Sequence, residues 1–479
     1  MSCDIAVYGL GVMGSNIALN FADHGLQVAV YNRTPSVTRE FVDNLAADQA
    51  ITACYSVEEL IGALSTPRVV FLMAKAGRVV DLIIEQLGPL LEPGDILIDG
   101  GNSYFQDTQR RWTQLREQQI RYLGVGISGG EEGARHGPSI MPGGDPAAWP
   151  PVEDMFRRIA ARADDGEPCC RWVGEGGAGH YVKMIHNGIE YGDMQLIAEA
   201  WQLMRDGLGM ADDDIADTFT EWNRGPLSSY LVDITADILR VREADGSLRL
   251  DHILDAAGQK GTGRWTAADA LETGVPLTLI TEAVFARVLS SMKNERIAAS
   301  ARLGRAPVDA ETDRAPLLAA IHDALYASKI ISYAQGFLQM REAAGEHDWQ
   351  LAFGDIALLW RAGCIIRSTF LDDIKRAFDR DPALPSLLFD DFFADALQQA
   401  EDGWREAVML GIRQRIPLPA MSSALSFYDG YRSAVLPANL LQAQRDYFGA
   451  HTYRRIDRDQ ALAWHTHWTG DRAEVPVDE

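Results

Sequence analysis

Residues 4–34, DIAVYGLGVMGSNIALNFADHGLQVAVYNRT, carry the pattern that decides the fold of the N-terminal part of the chain. The apolar run from Ile5 to Tyr8 leads into three glycines with the spacing G-x-G-x-x-G. A helix-like pattern from Asn16 to His24 ends at Gly25, and Leu26 to Tyr31 is a second apolar run. The segment therefore predicts a strand, a glycine turn, a helix and a second strand, which is the context in which this motif binds a dinucleotide.

The three glycines have different expected tasks. Gly9 permits the tight turn, Gly11 lets the backbone approach a pyrophosphate, and Gly14 allows close packing of the helix on the strand. The N–H groups at the start of the helix are further donors for a phosphate. An ordinary glycine-rich turn is the alternative interpretation.

The residues that follow the second strand are unusual for such a domain. A dinucleotide-binding domain usually has an acid here, which hydrogen-bonds a ribose hydroxyl and would repel a 2′-phosphate. This chain has Asn32, Arg33 and Thr34 instead, which offer a guanidinium together with amide and hydroxyl groups. We therefore predict that Arg33 binds the 2′-phosphate of NADP, with a solvated surface arginine as the alternative.

Further apolar runs continue the strand pattern and predict a wound parallel sheet: Val69–Met73, Ile96–Asp99 and Tyr122–Gly126. Lys75 follows the first of these runs, Asn102 the second, and the turn Ser128–Gly130 the third. Since ligands of open α/β sheets collect at the carboxyl ends of the strands, these residues are expected to face one crevice. The Ser-Gly-Gly turn also presents N–H groups that can hold a carboxylate.

The periodicity of the sequence changes near residue 177. Strand-like runs largely stop there, and the pattern is helical from Tyr181 almost to residue 430, before a tail richer in aromatic and polar residues begins at about Leu436. The predicted fold class is an α/β N-terminal Rossmann-type domain (1–177), followed by a large all-α domain (178–435) and a C-terminal tail (436–479). A chain of 479 residues is long enough for two or three domains.

Composition and charge limit the partners of the chain. The net charge of −24 disfavours nucleic acid and anionic membranes, and no apolar stretch approaches the length of about 20 residues that spans a bilayer. An anionic small substrate is compatible with this charge if lysines and arginines converge locally. The five cysteines form no C-x-x-C pair and no metal-ligand spacing, so a reducing cytoplasm is the expected location.

The start of the helical region carries a polar stripe within HYVKMIHNGIEYGDMQ. Lys183, His186, Asn187 and Glu190 have the spacing i, i+3, i+4 and i+7, so on a helix they share one face. A solvated helix face is one interpretation of such a stripe. The glycine-rich loops before the helix, and Tyr191 on the same side, favour a functional site.

Several segments together resemble the 6-phosphogluconate dehydrogenase family. They are GLGVMG, NRT, KAG, DGGNS, SGGEEGARHGPSIMPGG, GHYVKMIHNGIEYGDMQ, GQKGTGRWT, WRAGCIIRS and FGAHTYRR, and they extend from the N-terminus to about Gly470. The glycine motif is shared by many enzymes, and the lysine-bearing helix with SGGEEGA narrows the resemblance to β-hydroxyacid dehydrogenases. The segments GQKGTG and FGAHTYRR are much more specific.

The resemblance implies an NADP-dependent oxidative decarboxylation of 6-phosphogluconate to ribulose 5-phosphate, CO2 and NADPH. This is a step of the pentose phosphate pathway, and the family performs it without a metal. Lys183 would act as general base and then general acid, and Glu190 as general acid. A cytoplasmic homodimer with active sites shared between the subunits is also implied, with the tail of one subunit reaching the other.

The resemblance also assigns the binding residues by position. The coenzyme would be bound by Gly9, Leu10, Gly11, Val12, Met13, Gly14, Asn32, Arg33, Thr34, Lys75 and Asn102. The carboxylate and hydroxyl end of the substrate would be held by Asn102, Ser128, Gly129, Gly130, His186 and Asn187. The phosphate end would be held by Tyr191, Lys260, Thr262 and Arg287, together with Arg445 of the partner subunit and His451 of the partner subunit.

Two other functions fit part of the pattern. Another β-hydroxyacid dehydrogenase, acting on a small acid without decarboxylation, would share the glycine turn and Lys183. Such an acid has no phosphate to bind, so Lys260, Arg287 and the tail argue against this function. A non-enzymatic NADP-binding or scaffold protein is opposed by the intact pair of Lys183 and Glu190.

Overall fold

The computed structural model describes residues 2–46, 49–304 and 314–477. The chain divides into two units, Met1–Leu425 and Ser426–Glu479, and the second begins before the predicted start of the tail at Leu436. The division of the first unit near residue 177 stays a prediction. The predicted helical region includes residues 305–313, which lie outside the described residues.

A twisted sheet is the framework of the N-terminal part of the first unit. Its described strands are β1 (Ile5–Tyr8), β2 (Val28–Tyr31), β3 (Ile51–Cys54), β4 (Val69–Leu72), β5 (Ile96–Asp99), β6 (Arg121–Ser128), β7 (Ser139–Gly144) and β8 (Gly174–Glu175). Their spatial order is β3-β2-β1-β4-β5-β6-β7-β8, and neighbours run parallel except for the antiparallel pair β6 and β7. The order reverses between β1 and β4, and at such a switch point the loops after the strands form a crevice.

Helices cover both faces of this sheet. They are α1 (Val12–Asp23), α2 (Pro35–Leu45), α3 (Val57–Gly62), α4 (Arg78–Leu87), α5 (Phe105–Glu117), α6 (Gly130–His136) and α7 (Trp149–Ile159). Alternate residues of β1 belong to different apolar clusters, with Ile5 and Val7 on one face and Ala6 and Tyr8 on the other. Because both faces are buried, β1, β2 and β4 are unbroken apolar runs in the sequence.

The sequence predicts some strands and misses others. It gives β1 and β5 with the observed bounds, and its runs at residues 26–31, 69–73 and 122–126 overlap β2, β4 and β6. It misses β3, β7 and β8. Strand β3 is an edge strand with partly exposed side chains, β7 contains Pro142 and two glycines, and β8 has only two residues. None of the three is an unbroken apolar run.

The rest of the first unit is helical, as its periodicity predicts. The described helices are α8 (Ala178–Gln202), α9 (Asp212–Trp222), α10 (Tyr230–Ile238), α11 (Thr262–Thr273), α12 (Thr278–Ser291), α13 (Lys293–Leu303), α14 (Arg314–Glu346), α15 (Phe353–Leu359), α16 (Leu371–Arg380) and α17 (Asp391–Gln414). A further helix, α18 (Pro419–Tyr431), begins in the first unit and ends in the second. None of the helices in the described ranges combines the length and the apolarity needed to cross a bilayer. The fold class is therefore a Rossmann-type α/β domain followed by a largely helical region.

Helix α8 lies against the sheet at backbone distance because glycines face each other across the contact. A Cβ added to Gly126 on β6 would lie 2.4 Å from the Cβ of Lys183. One added to Gly179 on α8 would lie 2.3 Å from the carbonyl oxygen of Gly124. Larger residues would force the helix away from the sheet. The glycines thus fix the distance between Lys183 and the sheet.

The second unit contains one helix and one hairpin beyond the end of α18. The helix is α19 (Ala438–Gly449), and the antiparallel strands are β9 (Ala463–Thr466) and β10 (Glu474–Val477). Its buried centre is Asp446, which accepts hydrogen bonds from the N–H groups of Thr452 and Thr466 and from the Trp468 indole. This carboxylate joins α19 to the hairpin.

Candidate active site

A cleft of about 970 Å³ opens at the carboxyl ends of the parallel strands. Part of its wall is the glycine turn after β1 and the loops after β4 and β5. The loop before α11 contributes Gln259, Lys260 and Gly261, and the first turn of that helix contributes Arg264 and Trp265. The cleft therefore combines residues from the sheet and from the helical region, at the position where open α/β sheets bind ligands.

The glycine turn has the geometry that its motif predicts. Gly9 has a φ of +103°, and a Cβ on it would lie 2.4 Å from the carbonyl oxygen of Met73. A Cβ on Gly14 would lie 1.9 Å from the carbonyl oxygen of Gly9, so only glycine lets α1 pack this closely. Gly11 lines the cleft, and no described atom lies within 4 Å of a Cβ built on it. A pyrophosphate fits this open side, since it would meet the N–H groups at the start of α1.

Residues 32–34 follow β2 and contact the glycine turn. The Asn32 side chain accepts a hydrogen bond from the N–H of Leu10 at 3.2 Å, which ties the end of β2 to the turn. Thr34 is the N-cap of α2, and Pro35 is the first residue of that helix. The Arg33 guanidinium is exposed and makes no hydrogen bond or ion pair with a described residue. It is available to bind an anion next to the turn.

Lys75 and Asn102 are exposed, and both line the cleft. Lys75 follows β4 and Asn102 follows β5, so the parallel pairing of these strands puts the two loops side by side. A Cβ on Gly101 would lie 2.8 Å from the carbonyl oxygen of Ala74, which shows that the loops are in direct contact. The structure thus places both residues at one crevice, as the strand pattern predicts.

The polar stripe on α8 is buried, so the interpretation as a solvated helix face is wrong. Lys183, His186 and Asn187 have relative exposures of 6%, 0% and 7%. Lys183 Nζ donates to Asn187 Oδ1 at 2.6 Å and lies 3.3 Å from His186 Nδ1. Asn187 Nδ2 donates to Thr262 Oγ1 at 3.0 Å, which links α8 to α11.

The His186 ring is held on its other side by two further side chains. Its Nε2 lies 2.9 Å from Ser128 Oγ at the end of β6 and 2.8 Å from Cys364 Sγ. Ser128 is a predicted site residue, and Gly129 and Gly130 follow it at the start of α6. Cys364 is not predicted to belong to the site. It lies in the segment WRAGCIIRS, and only the fold brings its thiol to the ring.

Burial changes the proton affinities of this cluster. It lowers the pKa of Lys183, although the nearby Glu190 carboxyl opposes this effect. It raises the pKa of Glu190, against the influence of Lys183 and Arg287. The pKa of His186 lies well below its usual value because of burial and of the adjacent Lys183. A lysine with a lowered pKa and a carboxyl group with a raised pKa, on one helix face, are suited to general acid–base catalysis.

Tyr191 and Arg287 form a second group near Glu190. The Arg287 Cζ lies 3.6 Å from the centre of the Tyr191 ring, and its Nη1 donates to the carbonyl oxygen of Gly258 at 3.2 Å. Burial lowers the pKa of Arg287, and the nearby Tyr191 and Glu190 oppose this shift. The guanidinium is therefore fixed in position by α8 and by the loop that leads to Lys260.

The remaining predicted residues lie at the start of α11 and in the second unit. Lys260 is exposed and lines the cleft, whereas Thr262 is buried as the first residue of α11. Arg445 and His451 are both exposed in the second unit, and Arg445 donates to the Gln442 side chain at 3.1 Å. Their predicted role in the active site of a neighbouring subunit stays a prediction.

The site combines a Rossmann-type sheet, the framework of dinucleotide-binding domains, with a helix that carries a buried lysine. Comparison with known proteins then gives the family. Residues 4–174 match the NAD binding domain of 6-phosphogluconate dehydrogenase, and residues 179–468 match the 6-phosphogluconate dehydrogenase C-terminal domain. The chain belongs to the 6-phosphogluconate dehydrogenase family.

Relatives with this name match almost the whole chain. The decarboxylating 6-phosphogluconate dehydrogenase of Schizosaccharomyces pombe is 56% identical over 478 residues, covering 98% of this chain and 97% of its own length. The proteins of the same name from Ovis aries and Homo sapiens are each 55% identical over 473 residues, covering 98% of both chains. Plasmodium falciparum 6-phosphogluconate dehydrogenase has been solved in its apo form and in complexes with its cofactor NADP+ and its substrate 6-phosphogluconate. It matches with a TM-score of 0.94 and 41% identity, covering 97% of this chain and 100% of that one.

Proposed function

We propose that the chain catalyses the NADP-dependent oxidative decarboxylation of 6-phosphogluconate to ribulose 5-phosphate, CO2 and NADPH. The observation that carries the proposal is the buried Lys183 with its lowered pKa, hydrogen-bonded to Asn187 and on the same helix face as Glu190. The relatives are named as decarboxylating 6-phosphogluconate dehydrogenases, and the Plasmodium enzyme binds both NADP+ and 6-phosphogluconate.

NADP is the coenzyme that fits the residues around the glycine turn. Gly11 leaves room for a pyrophosphate, and the unpaired Arg33 guanidinium is available among the described residues for a 2′-phosphate. Lys75 adds another cation to the wall of the cleft. When bound, NADP would supply the acceptor for the hydride that leaves the substrate.

Lys183 serves first as a base and then as an acid. Its neutral amine removes the proton of the C3 hydroxyl as the hydride leaves, and burial favours this neutral form. The oxidised substrate is a β-keto acid. The ammonium now present on Lys183 donates to the ketone oxygen and stabilises the negative charge that develops as CO2 departs. In the proposed mechanism this ammonium takes the place of a metal ion.

Glu190 protonates the enediol that remains after decarboxylation. Burial raises its pKa, which favours the protonated form that transfers a proton to C1. Glu190 lies two turns after Lys183 on α8, and its Oε2 is 3.8 Å from His186 Nδ1. The acid and the base therefore belong to one cluster on a rigid helix.

The two ends of the substrate meet different groups in this proposal. Ser128, His186 and Asn187, together with the N–H groups of Gly129 and Gly130, hold the carboxylate and hydroxyl end. The cations Lys260 and Arg287, with Tyr191 and Thr262, hold the phosphate end. Asn102 lies on the cleft wall, where it can contact both the coenzyme and the substrate.

The proposed active form of the enzyme is a cytoplasmic homodimer. The surface of α11 and α12 exposes large apolar side chains, among them Leu271, Phe285 and Leu289, which suit an interface with a second copy of the chain. Arg445 and His451 are exposed and so are available to a neighbouring subunit. All five cysteines are free and buried, in keeping with a reducing compartment.

The function is tested by following NADPH formation and CO2 release with 6-phosphogluconate, with NADP and NAD compared side by side. Equal amounts of NADPH and CO2 would support the proposal. Activity with a small 3-hydroxy acid but not with 6-phosphogluconate would indicate another β-hydroxyacid dehydrogenase, and no turnover would indicate a non-enzymatic protein. Dialysis against a chelator is expected to leave the rate unchanged.

A further inference from the structure

A buried arginine is attached to the loop that carries Lys75. Arg111 lies on α5, is 1% exposed and does not line the cleft. Its Nη2 donates to the carbonyl oxygen of Gly77 at 2.9 Å, and its Nε donates to Asp81 Oδ1 at 2.8 Å. Gly77 lines the cleft and is the N-cap of α4. The arginine therefore fixes the point at which the Lys75 loop becomes a helix.

The same arginine reaches the loop that carries Asn102 through a buried carboxylate. Asp99 is the last residue of β5, and its Oδ2 lies 3.6 Å from Arg111 Nη1. Asp99 Oδ1 accepts from the N–H of Gly101 at 3.0 Å, and Oδ2 accepts from Ser103 Oγ at 2.6 Å. The carboxylate is thus bonded to the residues on both sides of Asn102.

The rigid geometry of the Arg111 guanidinium links the Lys75 loop to the Asn102 loop. A guanidinium is planar with fixed donor directions, so groups bound to its different nitrogens cannot move independently. Separating Arg111 from one of its acceptors would leave part of a buried charge unpaired, which is far more costly than at the surface. The close contact between Gly101 and Ala74 transmits displacement from one loop to the other.

We propose that Arg111, acting with Asp99, is a positioning residue that sets the Lys75 and Asn102 loops relative to each other and so couples coenzyme binding to substrate binding. The inference rests on the proposed function, because it takes Lys75 and Asn102 to be ligand-binding residues. Arg111 touches neither ligand and acts through the loops.

The first test compares Arg111→Lys with Arg110→Lys. Lysine keeps the positive charge but cannot bind Gly77, Asp81 and Asp99 together, so the KM values for NADP and 6-phosphogluconate should both rise about tenfold while kcat falls less than about threefold. Arg110 is the neighbouring residue, and it is exposed and bonded to the same Asp81 at 2.9 Å. Because its side-chain bonds reach neither loop, Arg110→Lys should leave both KM values unchanged.

A double-mutant cycle with Lys75→Ala distinguishes positioning from a general structural effect. If Arg111 acts through the loop, Lys75→Ala weakens NADP binding less in the Arg111→Lys background than in the wild type. Additive effects, or wild-type KM values for Arg111→Lys, would overturn the proposal. An unchanged NADP Kd for Lys75→Ala alone would instead show that the assigned ligand role is wrong, and the inference would fall with it.

A second variant keeps the proposal testable if Arg111→Lys does not fold. Ser103→Ala removes the hydroxyl that donates to Asp99 and accepts from Arg111 Nη1 at 3.5 Å, but it leaves the bonds of Arg111 to Gly77 and Asp81 in place. We expect the KM for 6-phosphogluconate to rise about threefold with an unchanged kcat. An unchanged KM in a folded Ser103→Ala variant would overturn the link between Asp99 and the Asn102 loop.

Discussion

At the scale of single residues, the proposed chemistry depends on the surroundings of one amine, that of Lys183. Lys183 Nζ contacts the Asn187 amide oxygen and the His186 ring, and neither group carries a negative charge that would hold a proton on the amine. We expect Lys183→Met to lower kcat by about a thousandfold or more while the NADP Kd changes less than about twofold. Steady-state rates and a binding titration measure the two quantities.

A matched control for this variant is Lys375→Met. Lys375 is a partly exposed lysine on α16 that pairs with Asp379, and it does not line the cleft. Its replacement should leave kcat near the wild-type value. Near wild-type turnover in Lys183→Met would show that the assigned base is wrong.

Coenzyme choice is also predicted to depend on one residue, Arg33. A charge-assisted contact between Arg33 and a phosphate contributes roughly 1.5–3 kcal/mol, so Arg33→Ala should weaken NADP binding by about one to two decades and NAD binding hardly at all. Titration with both coenzymes measures the difference. Arg39→Ala is the control, because Arg39 is another exposed cation on α2 and lies over the Tyr55 ring. Equal losses of affinity for NADP and NAD would rule out recognition of the 2′-phosphate by Arg33.

At the scale of elements, the distance between α8 and the sheet controls the site. The methyl group of Gly126→Ala would lie 2.4 Å from the Cβ of Lys183, so the helix must move and carry Lys183 with it. Overpacking of this kind costs about 1–3 kcal/mol of unfolding free energy, and kcat should fall at least about tenfold. Gly62→Ala is the control, since no described atom beyond its chain neighbours and the adjacent turns of its own helix lies within 4 Å of the added Cβ. Wild-type kcat in Gly126→Ala would contradict the argument.

Elements differ in how well the sequence predicts them, and β7 shows the reason. A strand buried by apolar side chains on both faces is an unbroken apolar run, which a local pattern reveals. Strand β7 is also buried, but a Cβ on its Gly143 would lie 2.4 Å from the N atom of Gly179 on α8. The glycines that allow this close approach remove the apolar signal. The local sequence pattern therefore does not reveal β7, because its glycines are required by packing against a helix that is distant in sequence.

The site is predictable to the extent that its residues are close in sequence. The spacing of Lys183, His186 and Asn187 predicts one helix face, but the same spacing occurs on solvated helices. Burial of that face depends on β6 and α11, which no local pattern reveals. The contact of Cys364 with His186 joins residues that are 178 positions apart, so periodicity cannot predict it.

At the scale of the whole molecule, a buried carboxyl group makes stability depend on pH. Glu199 on α8 accepts hydrogen bonds from the N–H groups of Ala420 and Met421 at the start of α18. Burial raises the pKa of Glu199 from 4.5 to about 7. Between these values the folded chain binds a proton that the unfolded chain does not bind. The stabilisation from this proton is complete below pH 4.5 and is lost as the pH rises through about 7.

The variant Glu199→Gln should remove this dependence. In the wild type the group lowers the free energy of unfolding by up to about 3 kcal/mol as the pH rises across this range, so the urea midpoint of the variant should fall less steeply with pH. The exposed Glu85→Gln is the control and should keep the wild-type slope. Equal slopes in Glu199→Gln and the wild type would contradict the role of this carboxyl group.

Sharing of active sites between subunits can be tested with two inactive variants. Lys183→Ala and Arg445→Ala are co-expressed in equal amounts, and random pairing makes half of the dimers mixed. If the tail serves the neighbouring subunit, each mixed dimer has one intact site, so about a quarter of the wild-type activity should return. If the tail instead serves its own subunit, every active site contains one of the two substitutions, and activity stays absent even though mixed dimers are present.

The glycine contact between α8 and the sheet also limits how relatives of this chain can be recombined. Gly124 and Gly126 lie on one side of the contact, and Gly179 and Lys183 on the other, so the two sides must be inherited as a matched pair. A gene crossover between residues 126 and 179 would join the strands of one parent to the helix of another. Shuffled libraries should therefore yield few active chimeras with breakpoints in this interval, although it falls at the border between two sequence domains.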